Sequence, residues 1–95
     1  MNKVFFIVEI GRIFDKDKYD YYIKNVGGII NSFGGRYIVR SNDVVSFTGD
    51  APQRCIIVEF TSQDAADRCF SSAEYLKIKH FREESTDSRA FFVRA

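Results

Sequence analysis

Ninety-five residues, 45% apolar and 16% aromatic with ten Phe and five Tyr, exclude a disordered chain and make one small domain with a thin core. Fourteen Lys and Arg against thirteen Asp and Glu leave a net charge of +1, which excludes nucleic-acid binding through a large basic field. A small domain this rich in aromatics often covers part of its surface with a second copy of itself.

Val4–Ile10 is a β-branched and aromatic run closed by Gly11, and it reads as a strand. Its apolar part, Val4–Val8, is too short for the core of a signal peptide or for a membrane span, so the expected location is the cytoplasm. From Asp15 to Phe33 the period changes. Tyr19, Tyr22, Ile23, Val26, Ile30 and Phe33 recur at three- and four-residue steps, which predicts an amphipathic helix. Asp15 or Asp17 caps its start and Gly34-Gly35 ends it. Gly27-Gly28 falls inside this helix, where each glycine costs about 1 kcal/mol relative to alanine. Close approach of the helix to a sheet explains the pair. A phosphate loop is the functional alternative, but the strand-loop-helix context is missing.

Arg36–Arg40 is a second strand, and Val44–Thr48 continues it or forms its hairpin partner. Gly49–Pro52 is a turn, and Arg54–Phe60 a third strand. Thr61 or Ser62 caps a short helix, Gln63–Phe70, with Asp64 as the capping-box acid for Thr61. Ser71 with Glu74 opens another helix, Ala73–Glu84, whose stripe is Tyr75, Ile78, Phe81 and Arg82. Arg89–Arg94 is the last strand. The order β-α-β-β-α-β predicts an α+β, ferredoxin-like fold across residues 1–95, with helices on one face of an antiparallel four-stranded sheet.

Alternation splits each strand into two faces. Val4, Phe6, Val8, Ile10, Tyr37, Val39, Ile56, Val58, Phe60, Phe91 and Val93 form a wholly apolar set, assigned to the helices. The opposite face mixes Phe5, Ile7, Ile38, Ile57 and Phe92 with Glu9, Arg36, Arg40, Glu59 and Arg94. A solvated sheet face is mostly polar, so this one is expected to pack against a second subunit. Phe5, Ile7, Glu9, Ile38, Arg40, Ile57 and Phe92 are its candidate interface residues. Burying the apolar members contributes on the order of 10 kcal/mol per subunit, before the costs of association. The charges then pair across the interface, or they line a polar cavity in which a carboxylate acts as a base.

Several stretches resemble one family. Phe33–Arg40 is similar to its G-G-R-Y-L-V-R segment, and Pro52-Gln53-Arg54 with Ile57–Phe60 to its P-x-R…v-i-E-F strand. Ser72-Ala73-Glu74-Tyr75 resembles its S-P-E-Y helix start, and Arg82 with Asp87-Ser88-Arg89 its l-R…a-d-S-R ending. By these motifs the chain is identified as a member of the domain of unknown function 1330 family, in the dimeric α/β-barrel superfamily. The resemblance covers nearly the whole chain and implies a ferredoxin-like fold that dimerises sheet to sheet. It supplies no reaction. Superfamily relatives include cofactor-free monooxygenases, muconolactone-isomerase-like enzymes and chlorite dismutase-like haem proteins, which tend to use a pocket between sheet and helices. The chain departs from the family at Gly27-Gly28, at Ser41-Asn42 where Gly-Gly is usual, and at Thr48–Ala51 where relatives resemble E-G-x-W.

Arg36, Glu59, Tyr75 and Arg82 fall in the family-like motifs and are the candidate small-molecule-binding residues. Arg36 or Arg82 can hold a carboxylate or enolate. Glu59 is the candidate catalytic base if burial raises its pKa. Tyr75 can donate from its hydroxyl or stack on a ring, or simply anchor helix to sheet. Arg82 can instead complement the helix dipole. The lone histidine, His80, sits off the apolar stripe at pairing distance from Glu84, which suits a surface role better than a haem ligand. Cys55 and Cys69 lie in no C-x-x-C pair, so no zinc site and no cofactor is expected, and both are read as packed free thiols. RNA-recognition domains share this element order, but only the Val-x-Phe end of Arg54–Phe60 matches their third-strand signature, and no nucleic-acid partner is expected. An interaction dimer without chemistry is the alternative function.

Overall fold

The computed structural model describes residues 3–95; Met1 and Asn2, part of the segment read above for a leader, lie outside the described residues. Strand β1 spans Val4–Ile13 and runs past Gly11. The ladder to the last strand skips at this glycine, pairing Ile10 with Ser88 and then Arg12 with Asp87. A Cβ on Gly11 would come 3.4 Å from the Asp87 carbonyl oxygen, so the bare backbone lets the irregularity form instead of ending the strand.

Helix α1, Lys16–Ser32, begins at Asp15, whose carboxylate accepts from the Lys18 N–H at 3.1 Å. It ends in a Schellman turn. Gly34 takes φ +82°, its N–H donates to Asn31 O at 3.0 Å, and Gly35 N–H donates to Ile30 O at 2.9 Å. Strands β2, Arg36–Ser41, and β3, Arg54–Phe60, follow. Val44–Thr48 joins neither, contrary to expectation. The Ser41 hydroxyl accepts from the Asp43 N–H at 3.0 Å and turns the chain away, and Ser46 bonds to the Gly49 carbonyl. Both neighbours of β3 are already taken, by β2 and β1.

Helix α2, Gln63–Phe70, is capped by Ser62 rather than Thr61, and α3, Ala73–Ser85, by Ser72 rather than Ser71, which closes α2. Strand β4, Thr86–Arg94, starts directly from α3, earlier than the expected Arg89. The sheet is antiparallel in the order β2-β3-β1-β4. This is the ferredoxin-like α+β arrangement. Val4, Phe6, Val8, Ile10, Ile56, Val58 and Phe60 are buried beneath Tyr19, Tyr22, Val26 and Ile30 of α1, Cys69 of α2, and Tyr75 and Ile78 of α3.

Two face assignments are corrected by the pairing. Phe92 sits opposite Phe6, with ring centroids 5.3 Å apart, and so lies on the helix side; Phe91 and Val93 sit opposite Ile7 and Phe5. On β2, Tyr37 pairs with Val58 but Val39 pairs with Ile57, so Ile38 is an extra, bulged residue. The bulge reverses the phase beyond it. Val39 joins the open face, and Arg40, opposite Ile56, folds its guanidinium 4.3 Å from the Tyr37 ring centroid.

Gly27-Gly28 marks no tight approach either. A Cβ on Gly27 would meet Tyr37 at an ordinary 3.9 Å, and one on Gly28 would meet nothing within 4 Å.

Candidate functional site

The sheet separates the four residues expected to work together. Arg36 and Glu59 pair on its open face, and Tyr75 and Arg82 lie on the helix side. Glu59 accepts from Arg36 Nη2 at 2.6 Å and lies 2.9 Å from Lys3 Nζ. Hydrogen bonding from Arg36, and then from Lys3, holds its carboxyl below the usual range. A general base needs the opposite shift, so the condition set for Glu59 as a base, a pKa raised by burial, runs against what its ion pairs favour.

The open face is ordered in rows across the strands. Val39, Ile57, Ile7 and Phe91 form an apolar middle row. On one side lie Arg36, Glu59, Phe5 and Val93; on the other, Ser41, Cys55, Glu9 and Arg89, with Arg89 Nε donating to Glu9 at 2.7 Å.

On the helix side, Tyr22 OH and Tyr75 OH meet at 3.0 Å. Arg82 reaches Tyr75 OH at 3.5 Å and donates from Nη1 to Ser88 Oγ at 3.3 Å. Thr86 Oγ1 donates to the Arg82 carbonyl at 2.7 Å and meets Ser88 Oγ at 2.9 Å, fixing the last turn of α3 to the start of β4. No carboxylate of the described residues pairs with Arg82, and its Nε is buried without a protein partner.

Two residues that the sequence reading missed join this side. Tyr19 is 5% exposed, and its hydroxyl has no protein partner. Arg54 pairs with the buried Ile10, which turns its side chain to the helices. It donates to Asn42 Oδ1 at 2.8 Å, and its Nε is likewise buried and unpartnered. Burial raises the Tyr19 pKa, with Arg54 and then Arg82 opposing the shift. The signal was available in the alternation: Arg54 is a cation in phase with Ile56 and Val58.

An open cleft of about 490 Å³ lies over these groups, lined by Ile13, Lys16, Tyr19, Asp20, Ile23, Asn42, Gln53 and Arg54. It shares Tyr19 and Ile23 with a throat between α1 and the sheet that also touches Tyr22, Val26 and Arg82. The throat holds only about 20 Å³, room for about one water. Lys16 and Asp20 pair at 2.6 Å on the rim, which leaves Arg54 as the uncompensated charge of the cleft.

His80 is exposed and stacks on Phe81, with centroids 4.1 Å apart; Glu84 bonds Lys18 instead, at 3.0 Å. Cys69 is buried in the core, where desolvation pushes its thiol up to about 11, and Cys55 lies half-buried on the open face. No group of three or more metal-ligating side chains converges among the described residues. No helix among them is long and apolar enough to cross a membrane.

The fold and the helix-side cleft define a ferredoxin-like α+β protein of the kind seen in several solved structures. An RPA0582 protein of unknown function from Rhodopseudomonas palustris is similar with TM-score 0.83 and 15% identity, over 99% of this chain and 82% of that one. A dimeric ferredoxin-like protein of unknown function from Jannaschia sp. CCS1 gives 0.74 and 10%, over 98% and 99%. SnoaB, a cofactor-independent oxygenase from Streptomyces nogalater, gives 0.72 and 12%, over 100% and 94%. A search of curated proteins returns no match. The model of the family described as Domain of unknown function (DUF1330) matches residues 3–95, and the chain belongs to that family.

Proposed function

We propose that this protein is a homodimer, joined through the open face of its sheet, that binds a small organic molecule in the cleft between α1 and the sheet. One observation carries the ligand reading: three buried polar atoms, Tyr19 OH, Arg54 Nε and Arg82 Nε, lack partners among the described residues and belong to residues lining the cleft or its throat. Buried polar groups in native proteins are nearly always satisfied, so this concentration suits a site for a ligand. The cleft volume also falls within the range of small-molecule sites, roughly 300–1,000 Å³.

The apolar middle row of the open face, flanked by ion pairs, supports the dimer, as does the description of the Jannaschia structure as dimeric. Glu9, Glu59, Arg36 and Arg89 are already paired within one subunit, so the face can be covered without leaving these charges single.

Binding stands ahead of turnover. The likeness to SnoaB, described as a cofactor-independent oxygenase, is one of fold at 12% identity, and the cleft's carboxylate, Asp20, is tied to Lys16 on the exposed rim. The narrow throat favours the second reading, an interaction dimer without chemistry.

A thermal-shift screen of a chemically diverse library separates the two readings. A ligand at a hundred times its dissociation constant adds about 2.7 kcal/mol of stability. Stabilising compounds that also perturb the amide resonances of α1 and β3 support the cleft; a library with no such compound leaves the interaction dimer.

A further inference from the structure

We propose that the cleft selects organic acids, an apolar ring-sized body bearing one carboxylate, with Tyr19 and Arg54 holding the carboxylate and Arg82 supplying a second positive charge from the throat. The inference rests on the reading of the cleft as a small-molecule site and adds the class of ligand.

The buried polar atoms offered are one-sided. A guanidinium only donates, so the free Nε atoms of Arg54 and Arg82 call for an acceptor. The unpartnered Tyr19 hydroxyl can donate its proton to that same acceptor. A carboxylate is acceptor-only and matches such a set, whereas the NH₂ of an amide finds only the Tyr19 oxygen among these three atoms able to accept from it.

Charge points the same way. Lys16 and Asp20 cancel on the rim, and among the described residues Arg54 has only the neutral Asn42 as a side-chain partner and Arg82 has hydroxyl partners alone. A partly buried guanidinium without a counter-ion is costly, and an incoming anion removes that cost through charge-assisted hydrogen bonds. Ile13 and Ile23 in the cleft, with Val26 and Ile56 in the throat, supply apolar walls. They fit a hydrocarbon body and do not solvate a bare inorganic ion.

The test compares matched ligands by NMR titration of the ¹⁵N-labelled protein: 2-naphthoate, 2-naphthamide and inorganic phosphate. The expected result is that 2-naphthoate shifts the amides around Tyr19 and Arg54 and binds roughly tenfold or more tightly than the amide or phosphate. Tyr19→Phe, which removes one oxygen, and Arg54→Met each weaken the acid by about tenfold. Lys77→Met, at an exposed cation of α3 that lines neither the cleft nor its throat, leaves the affinity unchanged. Equal binding of acid and amide overturns the acid selectivity and leaves the cleft. Phosphate binding as tightly as the acid overturns the ligand class. Shifts confined to the open face, or no binding by any probe, overturn the acid assignment, and no binding by the neutral members of the wider library then removes the cleft reading as well. Should Arg54→Met fail to fold, an unaltered affinity in Tyr19→Phe is sufficient to reject the proposal.

Discussion

The hydroxyls of Tyr22 and Tyr75 stand 3.0 Å apart and form a buried polar link between α1 and α3. Their rings meet edge to face, with centroids 6.2 Å apart, and both residues are buried. Burial, reinforced by the neighbouring phenol, pushes the Tyr22 pKa far above the usual tyrosine range, so the Tyr22 hydroxyl is held as a neutral hydrogen-bonding group.

Tyr75→Phe leaves the Tyr22 hydroxyl buried without this partner and removes a contact of Arg82. The expected loss is about 1–2 kcal/mol, at about 4–8 °C in Tm per kcal/mol for a chain of this size. Tyr22→Phe costs less, because Tyr75 keeps Arg82. The double variant loses less than the sum of the singles. Thermal melts of the three variants check the order; a Tyr75→Phe protein as stable as the wild type contradicts it.

Ile7→Lys puts an ammonium in the apolar row of Val39, Ile57, Ile7 and Phe91. Burying an unpaired charge costs several kcal/mol, which weakens the dimer on the order of a hundredfold or more. Sedimentation is expected to show a dimer for the wild type and a folded monomer, with unchanged circular dichroism, for the variant. A wild type that sediments as one copy at high concentration removes the interface.

The glycines of α1 and its C-terminal turn respond in opposite directions. Gly28→Ala adds a methyl into open space in a helix interior and is expected to stabilise by about 0.5–1 kcal/mol. A Cβ on Gly35 would fall 2.5 Å from Ile30 Cγ2 and 2.9 Å from the Phe60 ring, so Gly35→Ala is expected to destabilise by about 1–3 kcal/mol. Urea titrations of the two variants give the signs directly.

The Glu59 ion pairs make a pH-dependent contribution with a definite sign. Arg36 and Lys3 lower its pKa in the folded state, while the unfolded chain keeps the usual value of 4.5. The unfolded state therefore binds its proton first as pH falls. The stabilisation is fully present above pH 4.5 and fades as pH drops through the lower folded value. The Tm gap between wild type and Glu59→Gln is expected to be larger at pH 7 than at pH 3. A gap that widens on acidification reverses the argument.

The strands and helices were legible because their periods are clean. Val4, Phe6, Val8 and Ile10 alternate, and Tyr19, Tyr22, Val26 and Ile30 follow the helical repeat. The phase of the edge strands was not legible. Phe91-Phe92-Val93 is apolar at every position, so only pairing with Phe6 decides which ring faces the helices. The bulge at Ile38 has no glycine to announce it and reverses the phase of Val39 and Arg40. Motif position grouped Arg36 and Glu59 with Tyr75 and Arg82, although the sheet lies between the pairs. The unpartnered Tyr19 hydroxyl depends on three elements meeting, which no local pattern encodes.

Ser85 ends α3 and Thr86 begins β4 with no residue between them, and the Ser85 carbonyl accepts from the Phe14 N–H at 2.7 Å. A helix spliced straight into a strand has no slack. Arg82 is held from both sides, by Ser88 of β4 and by the Tyr75 hydroxyl in the helix layer. One residue inserted at this splice would set the register of β4 on β1 against the packing of Tyr75 and Ile78 in the core. The length of the splice thus bears on how Arg82 meets Ser88 and Tyr75, although neither Ser85 nor Thr86 lines the cleft or its throat.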